Sequence, residues 1–249
     1  MFKVYDRKKF SRLPDAILFD IDNTLYPYNP AHLSAQRAVK QKAIESFSIS
    51  SDTFDEEFQK SRTQIKKRLK GMASSHSRLL YLQKMMENLG LGSQIFLSLD
   101  FEQTYWSTFL NNAVLFEGVE EILDDLRLLS IPTAIVTDLT SQIQFRKLVF
   151  FGLDQSFDYV VTSEESGADK PNEIPFNIAL DKIRPSGKNI WMIGDNPISD
   201  IRGAREAINA VTLQKIHTGN PVGTGDGKPD LAFNDFTRLS TFVSNIEDE

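Results

Sequence analysis

The chain has 249 residues, of which 41% are hydrophobic and 25% charged, with a net charge of −6 and no cysteine. That length suits one large domain or a core with a sizeable insertion, and the composition argues against bulk disorder. The missing cysteine excludes disulfides, thiolate zinc sites and a thiol nucleophile; the acidic balance argues against a nucleic-acid binder; no apolar run reaches the roughly 18 residues of a membrane-crossing helix.

The opening MFKVYDRKKFSRLPD lacks the apolar stretch of a secretory signal, which fits a cytoplasmic protein. Ala16 to Phe19 is a short apolar run ending in acid and reads as a buried parallel strand. From Pro30 to Asn112 the chain turns rich in Lys, Gln, Glu, Leu and Ala, with apolar residues at helical spacing. One such set is Leu79, Leu80, Leu82, Met85, Met86 and Leu89, with Gly90 as a stop. The stretch from Ser50 reads as a helix start with early acidic residues. Roughly four helices are expected in this region. After Gly118 the pattern alternates. Helices are expected over 119–129, 142–151, 175–183, 198–208 and 236–246, and strands over 133–136, 159–161, 190–193, 210–213 and 231–233.

Alternation of this kind implies an α/β architecture: a Rossmann-like, doubly wound parallel sheet core with helices on both faces. An all-helical cap domain is inserted into it. The expected division gives 1–26 and 113–249 to the core and 27–112 to the cap, with hinges at 26–30 and 112–118. Ligands in such sheets bind at the carboxyl ends of the strands. The notable polar residues fall there: Asp20 and Asp22 after the first strand, Thr137 and Asp138 in AIVTD, Lys170 before Pro171, and Asp195 and Asp200 in GDNPISD.

Converging carboxylates repel each other, and a hard divalent cation such as Mg2+, with oxygen ligands and an affinity for phosphate, relieves that repulsion. A threonine hydroxyl and a lysine ammonium would then hold phosphoryl oxygens. One aspartate is left as nucleophile, and a second as general acid and base.

DIDNT, VTD, KP and GDNPISD, in this order, resemble the haloacid dehalogenase superfamily, in its phosphatase branch with a helical cap after the first motif. FEGVEEILDDLRLLSIPTAIVTDLT and VVTSEESGADKP are also similar to that branch, and the resemblance runs from Leu13 to Leu213. It implies that Asp20 takes the phosphoryl group and that Asp22 protonates the leaving oxygen and then activates water. It gives Thr137 and Lys170 to phosphate, with Asp138 beside them. It gives Asp20, Asp195 and the backbone carbonyl of Asp22 to the metal, and Asp200 to the ordering of that site. True dehalogenases of the superfamily lack the second aspartate of the first motif, so Asp22 favours phosphate chemistry. Asp138 replaces the usual Asn or Ser, and capping of the following helix is the expected role for it.

Each motif also has a plain reading. Asp20 and Asp22 could be turn residues, Thr137 a strand residue, Lys170 a solvated lysine, Asp195 a turn residue and Asp200 a helix cap. Tyr26 and Tyr28 follow the first motif and could stack on a base or sugar, or simply pack. His76 and Arg78 in the cap could touch substrate, or have surface or packing roles. The three histidines, His32, His76 and His217, are too scattered for a metal site. Arg62 to Lys70 reads as a solvated basic face, and GNPVGTGDG lacks the ending of a phosphate loop.

The expectation is a Mg2+-dependent phosphomonoesterase acting through an aspartyl-phosphate on a small phosphorylated metabolite, a sugar phosphate or a nucleoside monophosphate. The alternatives are a sugar phosphomutase, separable by its products, and a catalytically silent binding protein on the same scaffold, separable by turnover.

Overall fold

The computed structural model describes residues 1–246. It divides into two compact units, Tyr28–Ala113 and the remainder, Met1–Pro27 with the chain from Val114 onward. Among the described residues, no helix is long and apolar enough to cross a membrane.

The inserted unit holds α1 (Tyr28–Phe47), α2 (Ser51–Arg68), α3 (Arg78–Asn88) and α4 (Ile95–Asn111). Helix α1 packs along α4, α2 along α3, and α3 on α4. The reason is legible in the side chains. Helix α1 buries small residues at every fourth position, Ala31, Ala35, Val39 and Ala43, while α4 buries Phe101, Tyr105 and Phe109 at the same spacing. Small against large lets two helices interdigitate. Ser50 caps α2 by accepting from Thr53 N at 3.0 Å.

The other unit holds seven strands: β1 (Phe2–Val4), β2 (Ala16–Phe19), β3 (Thr133–Thr137), β4 (Tyr159–Thr162), β5 (Ile190–Gly194), β6 (Val211–Lys215) and β7 (Leu231–Phe233). Its helices are α5 (Val119–Leu128), α6 (Ser141–Phe150), the single turn α7 (Ser163–Ser166), α8 (Glu173–Ile183), α9 (Gly203–Ile208) and α10 (Phe236–Ser244). The strand order is β1-β7-β6-β5-β2-β3-β4. Strands β2, β3 and β5 are buried along their whole length, as strands covered on both faces must be. Alternate side chains go to opposite faces. Ala16, Leu18, Ala134, Val136, Ile190 and Met192 cluster with Phe176 of α8 and Ala204 of α9. Trp191, between Ile190 and Met192, meets Phe10 at 5.2 Å, and Phe10 meets Phe242 of α10 at 5.4 Å.

Two elements depart from the sequence expectation. The sheet is parallel except at one edge, where β1 pairs antiparallel with β7; three residues, FKV, carry too little periodicity to be read. The helix expected over 198–208 is split into a π-helical turn, Pro197–Arg202, and α9. Asn196 starts that turn: its side chain accepts from the amides of Ile198 and Ser199 at 2.9 and 3.0 Å, and Ile201 N reaches back to Asn196 O at 3.2 Å. The glycine-rich stretch after Gly219 forms only a short 3-10 turn, Gly225–Gly227, with no helix behind it.

Candidate active site

Strand β2 lies at the centre of the sheet, between β3 and β5. Phe19 is in register with Ile135 on one side and Ile193 on the other, so Asp20, Thr137 and Asp195 end three adjacent strands. Beyond Asp20 the chain turns at once. Leu25 N donates to Ile21 O at 2.9 Å, and Asn23 takes the left-handed conformation, φ 64°, which Asn tolerates well. The turn brings Thr24 Oγ1 to donate to Asp20 Oδ2 at 3.0 Å.

Lys170 enters from the loop after α7. Its ammonium donates to Asp20 Oδ1 at 2.7 Å, Asp200 Oδ1 at 2.7 Å and Val136 O at 2.8 Å. An ammonium has three N–H groups, and all three are used. Lys170, Asp20 and Asp200 are all buried. Against burial, the Asp20 and Asp200 charges hold Lys170 protonated, well above the usual lysine range. Asp200 also accepts from Asn196 N at 2.9 Å through Oδ2. Its closeness to β5 requires a residue without a side chain: a Cβ on Gly194 would lie 2.4 Å from Asp200 Cβ.

Ligand oxygens of Asp20, Asp195 and Asp200 all lie within 4.8 Å of one another. Burial, joined by the neighbouring carboxylates, pushes Asp20 up to about 7 and Asp195 up to about 9. Only one ammonium, Lys170, forms ion pairs within this triad, so the described cluster is short of positive charge. Asn220 Nδ2 steadies Asp195 by donating to Oδ2 at 2.9 Å. An all-oxygen set around a charge deficit fits a hard divalent cation such as Mg2+.

Asp22 points its carboxylate elsewhere. It accepts from Lys147 Nζ at 2.7 and 2.9 Å, through Oδ1 and Oδ2, and from the Tyr26 hydroxyl. Gln144 Nε2, one turn before Lys147 on α6, donates to Thr137 Oγ1 and to Asp138 O, both at 2.7 Å. Neither Gln144 nor Lys147 was found by reading motifs. A signal was present: the buried stripe of α6 is Ile143, Gln144, Lys147 and Leu148, half of it polar. Two expectations are corrected. Asp138 does not cap α6, whose N-cap is Thr140; its Oδ1 accepts instead from Lys170 N at 2.9 Å, and burial raises it to about 6. Tyr26 has no exposed surface, its ring lying 5.0 Å from Phe151, so it packs rather than offering a face for stacking.

Tyr28 and Arg78 meet in the helical unit. The Arg78 guanidinium donates to the Tyr28 hydroxyl and to His76 O, the latter at 2.6 Å. It also lies over the rings of Tyr81, Tyr105 and Trp106 at 5.4, 5.2 and 5.7 Å. His32 Nδ1 is 2.6 Å from the Tyr105 hydroxyl.

Residues 14–207 match the family model for haloacid dehalogenase-like hydrolases. The chain is 36% identical over 203 residues to a ribulose-1,5-bisphosphate 5-phosphatase of Halopiger xanaduensis, covering 81% of this chain and 83% of that one. It is 28% identical over 192 residues to a glyceraldehyde 3-phosphate phosphatase of Methanopyrus kandleri, covering 77% and 80%. In fold it is similar to a haloacid dehalogenase-type phosphatase from Thermococcus onnurineus, with TM-score 0.72, 21% identity and 94% and 99% of the two chains covered. A 2-haloacid dehalogenase from Pseudomonas syringae gives TM-score 0.75 at 19% identity, over 93% and 99%. The match to the family model spans most of the chain, and the protein belongs to the haloacid dehalogenase-like hydrolases.

Proposed function

We propose that the protein is a Mg2+-dependent phosphomonoesterase that works through an aspartyl-phosphate on a small phosphorylated metabolite, a sugar phosphate or a nucleoside monophosphate. The observation that carries this reading is the ammonium of Lys170 joining Asp20 to Asp200 at 2.7 Å on each side, beside Asp195. The names of the relatives support the substrate class, since both act on small phosphorylated sugars or trioses.

Asp20 is the nucleophile: its carboxylate attacks phosphorus while Asp22 protonates the departing oxygen. In the second half Asp22 takes a proton from water, which hydrolyses the acyl-phosphate and restores Asp20. Thr137 binds a phosphoryl oxygen, and the Lys170 ammonium, held between Asp20 and Asp200, balances the charge that builds on the phosphoryl group. Asp20, Asp195 and the backbone carbonyl of Asp22 would hold Mg2+, with Asp200 ordering that set; the ion supplies charge neutralisation at the phosphoryl group. Asp138, through Lys170 N, fixes the loop that delivers the lysine. Tyr28, His76 and Arg78 are the substrate contacts proposed for the helical unit, whose role as a cap is to select the substrate. A cytoplasmic location is part of the same reading.

Phosphate release from a panel of sugar phosphates, nucleoside monophosphates and an aryl phosphate, with and without Mg2+, tests it. Release that needs Mg2+ is expected for at least one of them. Isomerised sugar phosphate with little free phosphate would turn the reading to a mutase, and no turnover on any of them would sink the phosphatase.

A further inference from the structure

The buried face of α6 carries a lysine that the steps above leave without a task. Lys147 has no exposed surface, and a lysine is almost never fully buried unless it is paired. Its partner is Asp22, reached at 2.7 and 2.9 Å on the two carboxylate oxygens, with the Tyr26 hydroxyl also donating to Oδ1. Gln144, three residues earlier on the same helix face, holds Thr137 and the Asp138 carbonyl. One helix therefore supports the side chains that follow two different strands.

We infer that Lys147 is a positioning residue for the second half of the reaction: it holds the Asp22 carboxyl group in the orientation that takes a proton from the hydrolytic water. The inference rests on the phosphatase reading. In that half the water oxygen bonds to phosphorus, and the bond from phosphorus to the Asp20 oxygen breaks with its electron pair returning to Asp20. The water proton passes to Asp22, and inorganic phosphate leaves. A carboxylate held on both oxygens by an ammonium is confined to one orientation, as a base in that step needs. Without Lys147, Asp22 loses the contacts that fix both of its oxygens at once. The first half makes no such demand when the leaving group is a stable phenolate, which departs without a proton.

The two halves leave different kinetic marks. Slowing only acyl-phosphate hydrolysis lowers kcat and KM together and leaves kcat/KM unchanged, because kcat/KM ends at phosphoryl transfer. The test uses the full chain, Mg2+ and 4-nitrophenyl phosphate. For Lys147→Met, kcat is expected to fall about tenfold or more while kcat/KM stays within about twofold, with a burst of 4-nitrophenol approaching one per protein. Lys147→Arg, which keeps a cation with two parallel donors, is expected to restore kcat to within a few-fold and to remove the added burst. Lys147→Gln, neutral but polar, serves where the Met variant does not fold and is expected to show the same burst. A fall of kcat/KM in step with kcat and no burst overturns the inference, as do unchanged constants. If the unmodified protein releases neither this phenol nor phosphate from any sugar phosphate or nucleoside monophosphate, the phosphatase reading and the inference fall together; if it turns over and the variants behave like it, only the inference falls.

Discussion

At the end of β2 the ammonium of one lysine pairs with two acids while a third, Asp195, lies beside them, and that imbalance sets what single substitutions do. Asp20→Asn removes the nucleophile at almost constant volume and takes one charge from a crowded cluster. Turnover is expected to vanish while the thermal melt holds its midpoint or rises; a variant that still turns over would remove Asp20 from its role. Lys170→Met is the opposite case, since it takes the ammonium away from two buried carboxylates. Breaking a buried ion pair from one side costs about 3–5 kcal/mol, so a loss of that order is expected in urea unfolding without Mg2+. Asp195→Asn is expected to raise the Mg2+ concentration needed for half-maximal turnover, and an unchanged titration would exclude Asp195 as a ligand. These acids were legible in the sequence because a carboxylate closing an apolar strand needs compensation. Lys147 was not, because most lysines on helices lie in water and nothing in a motif separates the buried one.

Elements differ in how much of themselves they show. The strands β2, β3 and β5 read clearly as unbroken apolar runs, and helical spacing marked α3 and α5. The edge strand β1 was too short to carry a pattern, and the widening of the chain at Asn196 depends on a side-chain cap that spacing does not reveal. Helix α1 carries a pH-dependent element of its own. Burial, with the charges of Arg78 and Arg62, pushes His32 down to about 4 from its usual 6.5. Burial also keeps the Tyr105 hydroxyl protonated, 2.6 Å from His32 Nδ1. Above pH 6.5 the folded and unfolded chains both hold His32 neutral. Between 6.5 and about 4 the unfolded chain binds a proton that the folded one refuses, so stability falls as pH falls through that window, and no further below it. The raised carboxyls of Asp20, Asp138 and Asp195 run the other way over the same range, so the His32 part is read as a difference between proteins: on going from pH 7.5 to 5, His32→Phe is expected to gain thermal stability relative to the unmodified chain, and an equal response of the two would clear His32.

For the molecule as a whole, the chain leaves the sheet-bearing unit and returns to it at one place. Phe116 N donates to Leu25 O at 2.9 Å, so the two ends of the inserted segment are already joined by a backbone hydrogen bond. Replacing residues 28–113 by a short Gly-Ser linker is therefore expected to leave the remaining unit folded, with a single cooperative melt; a chain that melts without cooperativity would show that the insertion is needed for folding. The doubly wound core was legible from alternation alone. Spacing alone does not show which distant residues compensate each other, because that depends on strand order; the motif resemblance brought Lys170 to Asp20 and Asp200, and nothing brought Lys147 to Asp22. Lys170 stands 150 positions after Asp20, and Asp200 another 30 beyond it. This ordering has a consequence in time. During synthesis the central strand emerges among the first elements, yet both of its neighbours and its counter-charge are translated much later. A nascent chain arrested before residue 170 holds Asp20 with no ammonium to meet it, so β2 is expected to stay open to protease until the ribosome has passed the last aspartate of the site.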